Sequence, residues 1–328
     1  MTIELPWPAG AATGIGSLPG TDIGEAVRMT FGELPDLPYL PELPARGPGA
    51  DMIGRTAGLL VDLPVELYAA RWQVTSRAGR DLRRTRDLWD RDLDALTGPA
   101  AEYDGVVKIQ VAGPWTLAAA LYRPTGGLML RDRGAVRDLT ASLAEGVRHH
   151  VADVSARLPQ ARVLLQLDEP SLPGVLAGDI PTESGFSRLA QVPEGEATEA
   201  LRAVLEAAGV PVVVHCCAPA VPVKLLSTAG AVGVALDLSL APDPDALGEL
   251  LDAGFALFAG AVTASDPGGV ADRVRRLWRD LGLPPARLPA QVVLTPPCGL
   301  AGATPESARA TLGTAREAAR RLADDPGA

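Results

Sequence analysis

Histidine and cysteine are scarce in this chain of 328 residues, with three of each, so their placement carries information. His215, Cys216 and Cys217 close the apolar run Val212–Cys217. Cys298 follows a second run, in Leu294-Thr-Pro-Pro-Cys-Gly-Leu300. Strand side chains two apart share a face, so His215 and Cys217 point one way and Cys216 the other. If both strand ends reach one rim, an imidazole and two thiols converge. That soft donor set suits a catalytic zinc, which keeps three protein ligands and one open position. The competing reading is that small cysteines fill core space, and it is preferred for Cys216. Asp237, ending the apolar Val232–Asp237, is a candidate fourth ligand. Its alternative role is to cap the next helix, but that helix begins near Pro244 and has Asp243 as its own cap.

Carboxylates supply the second set. Asp168-Glu169-Pro170 leaves the apolar strand Val163–Leu167. Adjacent side chains diverge, so one carboxylate at most enters a shared mouth and the other needs a backbone or arginine partner. In Ile15-Gly16-Ser17-Leu18-Pro19 the glycine allows close backbone approach, and free N–H groups there could hold a carboxylate. His149 and His150 lie in a long polar helix and read as exposed surface.

The elements positioning these residues alternate. Strands are expected at Thr13–Ser17, Val106–Ala112, Val163–Leu167, Val212–Cys217, Val232–Leu238, Ala256–Val262 and Val292–Thr295, with a weaker Pro-rich candidate at Leu37–Leu43. They are near-continuously apolar, as parallel strands covered on both faces are. Helices are expected at Asp22–Phe31, Asp51–Leu60, Asp81–Leu96, Pro114–Leu121, Gly134–Arg157, Glu194–Ala208, Pro244–Ala253, Val270–Leu281 and Pro305–Ala323, with Asp22, Asp51, Asp243 and Thr304 as N-caps. The pattern fits a single α/β domain over residues 1–328, a (β/α)8 TIM barrel whose strand ends share one functional face. A Rossmann-like sheet is the runner-up, but no G-x-G-x-x-G follows a strand. Residues 34–49 hold many prolines and read as a loop covering the site, and the tail after 323 as frayed.

Together these residues resemble the C-terminal, catalytic half of cobalamin-independent methionine synthase. The pieces, in order, are Ile15–Pro19, Gly113-Pro114-Trp115-Thr116, Asp168-Glu169-Pro170, His215 with Cys217, and Cys298-Gly299-Leu300. The resemblance implies a zinc-dependent methyltransferase that activates a thiol, homocysteine, to make methionine. It implies that His215, Cys217 and Cys298 bind Zn2+, and that Asp237 stands where the family has a glutamate ligand, one methylene shorter. Ser17, with Ile15 and Gly16, would bind the amino acid carboxylate, and Asp168, the candidate catalytic residue, its ammonium group, shared with Glu42. Two departures concern the donor. Nothing matches the family's N-terminal barrel, and its pterin-side tryptophan is replaced by Ala120, with Trp115 nearby. The expected donor is therefore methylcobalamin, free or carried by a corrinoid protein, or an unknown donor, ahead of methylfolate.

Three rivals share the fold: another zinc–thiol alkyl transfer of the coenzyme M type, a metal-free decarboxylase of the uroporphyrinogen type, and a non-catalytic corrinoid-docking module. Composition narrows the partners to small molecules. The chain is 47% hydrophobic and 21% charged, with a net charge of −10, a surface that repels nucleic acid and anionic membranes. The N-terminal stretch, with Glu4, lacks a leader pattern, no run is long enough to span a membrane, and an odd cysteine count fits a cytoplasmic location.

Overall fold

The computed structural model describes residues 5–240, 242–263 and 266–327; residues 1–4, which enter the leader argument, lie outside them. The strands are β1 (Val65–Tyr68), β2 (Arg71–Val74), β3 (Val106–Ala112), β4 (Arg162–Asp168), β5 (Val212–Cys216), β6 (Gly233–Asp237), β7 (Ala256–Gly260) and β8 (Val292–Thr295). β3 through β8 form one parallel sheet in sequence order, and β1–β2 form a separate antiparallel hairpin.

Alternation along the six strands splits their side chains between two apolar clusters. Val107, Leu165, Val214, Leu236, Leu257 and Leu294 pack outward with the helices. Val106, Leu164, Val213, Ala235, Phe258 and Val293 gather on the other side with Trp7, Ala11, Ile15 and Leu37. The sheet therefore curls around a core of its own, which fixes which residues face inward.

The sequence leads to an eight-stranded barrel, whereas the ladder here holds six parallel strands. The other two expected segments make isolated parallel bridges: Ala12 with Leu294, Ser17 with Glu42, and Tyr39 with Lys108. Pro38 and Pro41 have no N–H to donate, so a regular ladder cannot run through residues 37–43. Nor is this stretch a loose cover, since Leu34, Leu37, Tyr39, Leu40 and Leu43 are all buried.

The helices are α1 (Ile23–Glu33), α2 (Met52–Ala57), α3 (Arg80–Ala100), α4 (Pro114–Ala118), α5 (Arg133–Arg157), α6 (Leu172–Ala177), α7 (Glu194–Ala208), α8 (Val223–Ala229), α9 (Pro244–Asp252), α10 (Pro267–Asp280), α11 (Leu288–Gln291) and α12 (Pro305–Asp324). Asp22, Asp51, Asp243 and Thr304 each accept a backbone N–H as N-caps. The tail stays helical to Asp324. Among the described residues, no helix is long and apolar enough to cross a membrane.

One buried ionic group lies behind the inner wall. The Asp92 carboxylate takes Arg46 at 2.6 and 2.8 Å and also pairs with Arg55, whose guanidinium lies 3.4 Å from the Trp89 ring centroid. The other face of this group corrects the reading of His150. It is buried, its ring 4.4 Å from that of Trp89, while His149 is exposed. Burial, helped by the nearby Arg55 cation, pulls the His150 pKa down to about 3. The folded protein therefore holds His150 neutral where the unfolded chain, near pKa 6.5, takes up a proton. Its contribution to stability is present above about pH 6.5 and is lost as pH falls. Urea titrations at pH 6.5 and 5.5 should show the wild-type folding constant dropping by about fivefold more than that of His150→Phe. Equal drops would refute this account.

Candidate metal and substrate site

The site grows from strand register. β4 pairs with β5 so that Asp168 lies directly opposite His215. Same-face neighbours across parallel strands are close enough for their side chains to meet, and His215 Nδ1 lies 2.9 Å from Asp168 Oδ1. Both residues are buried. The other ring nitrogen, Nε2, is buried with no protein partner. Cys217 follows β5 on the His215 side, and its Sγ lies 3.5 Å from that of Cys298, beyond β8. One atom each of His215, Cys217 and Cys298 fall within 4.8 Å of one another. Cys216 is buried on the opposite side, and burial pushes its thiol up to about 12.

This donor set fits a thiophilic metal ion. An orphaned imidazole nitrogen aimed at two thiols is explained by a shared cation, and thiolates sharing a tetrahedral zinc sit roughly 3.8 Å apart. The hydrogen bond between the two thiols lowers Cys298 to about 6 and raises Cys217. Asp237 is not part of the cluster. Its half-buried carboxylate instead accepts Ser239 N–H at 2.8 Å, turning the chain at the end of β6.

A cavity of about 260 Å³ opens beside the thiols, lined among others by Ile15, Gly16, Ser17, Glu42, Asp168 and Met52. Every candidate site residue from the sequence except Asp237 borders it. Ser17 is held from two sides: Leu18 N–H donates to Glu42 O at 2.9 Å, and Leu300 N–H to Ser17 O at 2.8 Å. A Cβ at Gly299 would overlap the Ser17 hydroxyl, so only glycine lets the Cys298 turn close on this segment. Glu42 is buried in the wall, 3.8 Å from Arg55, and burial raises its carboxyl to about 7 against the pull of that cation.

The partner carboxylate, Glu169, turns away as expected. It accepts the N–H groups of Trp115 and Thr116 at 2.9 and 2.8 Å and the Thr116 hydroxyl at 2.7 Å. It thus closes the first turn of α4, and a Cβ at Gly113 would collide with it. Trp115 is fully buried, its indole N–H donating to Ala197 O at 3.1 Å, so its ring offers no stacking surface.

Sequence reasoning missed the polar layer that braces the cavity wall. Lys108 is fully buried, and its ammonium donates to Ile15 O and Gln166 Oε1, both at 2.8 Å, and to Gln110 Oε1 at 3.4 Å. Gln166 Nε2 donates in turn to Asp168 Oδ1 at 2.7 Å. The signal was present as polar residues at alternate positions in Val106-Val-Lys-Ile-Gln-Val-Ala112 and Val163-Leu-Leu-Gln-Leu-Asp168.

The family model described as "Cobalamin-independent synthase, Catalytic domain" matches residues 10–321. The chain belongs to that family. Among solved structures, a B12-independent methionine synthase from Shewanella sp. W3-18-1, in complex with selenomethionine, superposes with a TM-score of 0.65 at 12% identity, covering 97% of this chain and 98% of that one. That likeness establishes the fold. A psychrophilic family 10 endo-beta-1,4-xylanase aligns at a TM-score of 0.39 and 10% identity over 86% of each chain, too slight to bear on either fold or function. No curated protein sequence matches the chain.

Metal analysis tests the cluster in this family member. Cys217→Ser and Cys298→Ser should each lose most of the bound metal, and Cys216→Ser should keep it. Full retention in both of the first two would rule the cluster out as the metal site.

Proposed function

We propose that this protein is a zinc-dependent methyltransferase that methylates the thiol of homocysteine to give methionine. The observation that carries the reading is the buried, unpartnered His215 Nε2 beside the Cys217 and Cys298 thiols at the wall of a carboxylate-bearing cavity. His215, Cys217 and Cys298 would hold the ion. Asp237, one methylene shorter than the family's glutamate and engaged with Ser239, is proposed as a residue of the surrounding turn. Bound zinc would supply the Lewis acidity that makes an ordinary thiol, near pKa 8.5, nucleophilic at neutral pH.

The remaining work falls to the chain. Asp168 Oδ1 is occupied by His215 and Gln166, while no hydrogen bond engages Oδ2 among the described residues. Oδ2 is therefore available for the substrate ammonium, with Glu42 as the second carboxylate near it. Ser17 and the backbone of Ile15–Ser17 would take the substrate carboxylate, which carries the opposite charge and needs donors. Ile15, Pro44 and Met52 give the cavity an apolar side for the methylene groups. In net terms the acceptor sulfur loses its proton, a carbon–sulfur bond forms, and the bond from donor to methyl breaks. Anchoring the acceptor at three points leaves one approach for the donor, and fixing that approach lowers the entropic cost of an in-line transfer.

For the donor, a methylcorrinoid is favoured over polyglutamylated methylfolate. Among the described residues no lysine or arginine lines the cavity, Ala120 stands in the family's pterin-side tryptophan position, and Trp115 is sealed in the core. A polyanionic tail would thus find little to bind.

Asp168→Asn keeps the Oδ1 acceptor for His215 but turns an N–H2 donor towards the ammonium. Zinc content should hold while the KM for homocysteine rises by about one to two decades, the cost of one charge-assisted contact of roughly 1.5–3 kcal/mol. Wholesale zinc loss would instead make Asp168 a ligand. For the donor, kcat/KM with homocysteine should be higher for methylcobalamin than for mono- or triglutamyl methyltetrahydrofolate; the reverse order would overturn the donor assignment.

A further inference from the structure

Beneath the metal cluster, the inner face of the curled sheet carries a buried polar layer that the proposed chemistry leaves without a role. Lys108 on β3 lies at its centre. Its three ammonium donors meet Ile15 O at 2.8 Å, Gln166 Oε1 at 2.8 Å and Gln110 Oε1 at 3.4 Å. Each glutamine is thereby committed, its oxygen towards the lysine and its amide nitrogen outward. Gln110 Nε2 donates to Leu40 O at 2.7 Å, two residues before Glu42. Gln166 Nε2 donates to Ile15 O at 2.8 Å and to Asp168 Oδ1 at 2.7 Å. Asp168 Oδ1 can then only accept from His215 Nδ1, 2.9 Å away.

We propose that Lys108 is a positioning residue that, through Gln166 and Asp168, holds His215 as the Nδ1–H tautomer with Nε2 free to ligate. The inference rests on the metal-site reading above. The logic is one of donors and acceptors in a buried space. An ammonium only donates, so the group facing it must accept. That, together with the accept-only Ile15 O facing its amide nitrogen, settles Gln166, and a donating Gln166 keeps Asp168 an acceptor. The proton between Asp168 and His215 then belongs to the imidazole. A ligating histidine held this way is fixed both in tautomer and in ring orientation. The same lysine binds Ile15 O, so the segment that would hold the substrate carboxylate and the histidine that would hold the metal hang from one cation. Lys108 touches neither substrate nor metal and acts only through its neighbours.

Two substitutions test this in the full chain. Lys108→Met keeps the length of the side chain and removes every donor. Gln166→Glu keeps an acceptor for Lys108 and, ionised beside that cation, has no N–H to donate to Asp168. Zinc affinity is read by competition with a chromophoric chelator. The His215 tautomer is read in metal-free protein from long-range proton–nitrogen NMR correlations. Both variants should bind zinc about 10–100-fold more weakly than wild type, as loss of a partner behind a metal ligand does, and both should lose the single Nδ1–H signature. Wild-type affinity and an unchanged tautomer in Gln166→Glu would overturn the role of Lys108 and leave the metal site intact. Failure of the wild type to bind zinc would overturn the metal-site reading itself, while the tautomer comparison would still decide the role of Lys108. A folded Lys108→Met protein that is less stable yet unchanged in affinity and tautomer would assign the lysine to stability alone, against the proposal.

Discussion

A buried ammonium at the centre of the curled sheet is the constraint on which the site depends. Lys108 has no access to solvent; burial pulls its pKa down, Asp168 and Glu42 pull it back up, and the three oxygens facing its nitrogen are acceptors that the protonated form satisfies. An unpaired cation in such a place would be prohibitively costly, so its surroundings have to supply acceptors and negative charge. They do so with a backbone carbonyl from Ile15, two glutamine oxygens and two nearby carboxylates. Those same groups border or brace the cavity. Satisfying the lysine and shaping the site are thus one problem with one solution, and an apolar cluster that includes Trp7, Ile15 and Phe258 fills the rest of the sheet's inner face.

The two adjacent carboxylates show how the strand end divides labour. Asp168 is still in register with His215 and faces inward. Glu169, one residue later, points the opposite way and spends its charge on the open amides of α4. A sequence motif of Asp-Glu-Pro thus encodes one carboxylate that lines the cavity and one clamp. The clamp explains why Gly113-Pro114-Trp115-Thr116 must accompany it: the glycine makes room for the carboxylate, and the threonine offers it both an N–H and a hydroxyl.

Much of this was legible before any coordinates, because strand parity and strand ends are encoded locally. Where apolar runs stop marks the strand ends that bring His215, Cys217, Cys298 and Asp168 to one cavity, and residue type alone marks the four helix caps. What was missed had weaker or masked signals. His150 lies on the buried stripe of α5, in step with Val136, Leu139, Leu143, Val147 and Val154, and its spacing outweighed the polarity of its neighbours. The β1–β2 hairpin turns through Ala69 and Ala70, both at positive φ, where the usual Asn-Gly signal is absent. Residues 37–43 were ambiguous because their prolines suggest a loop while their leucines fill the core. Asp237 ends a strand as a ligand would, yet its carboxylate turns onto the local backbone, a choice that spacing along the chain does not encode.

The distance in sequence between Cys217 and Cys298 has a consequence for how the protein is made. The two thiols are 81 residues apart. At a synthesis rate of about 5–20 residues per second, the histidine and first cysteine precede the last by roughly 4–16 seconds. During that interval the nascent chain carries only two of the three donors, and the β8 strand that brings the third has yet to pair. A metal held by all three donors would therefore be acquired late in biogenesis, with docking of the final strand rather than with emergence of the first two ligands.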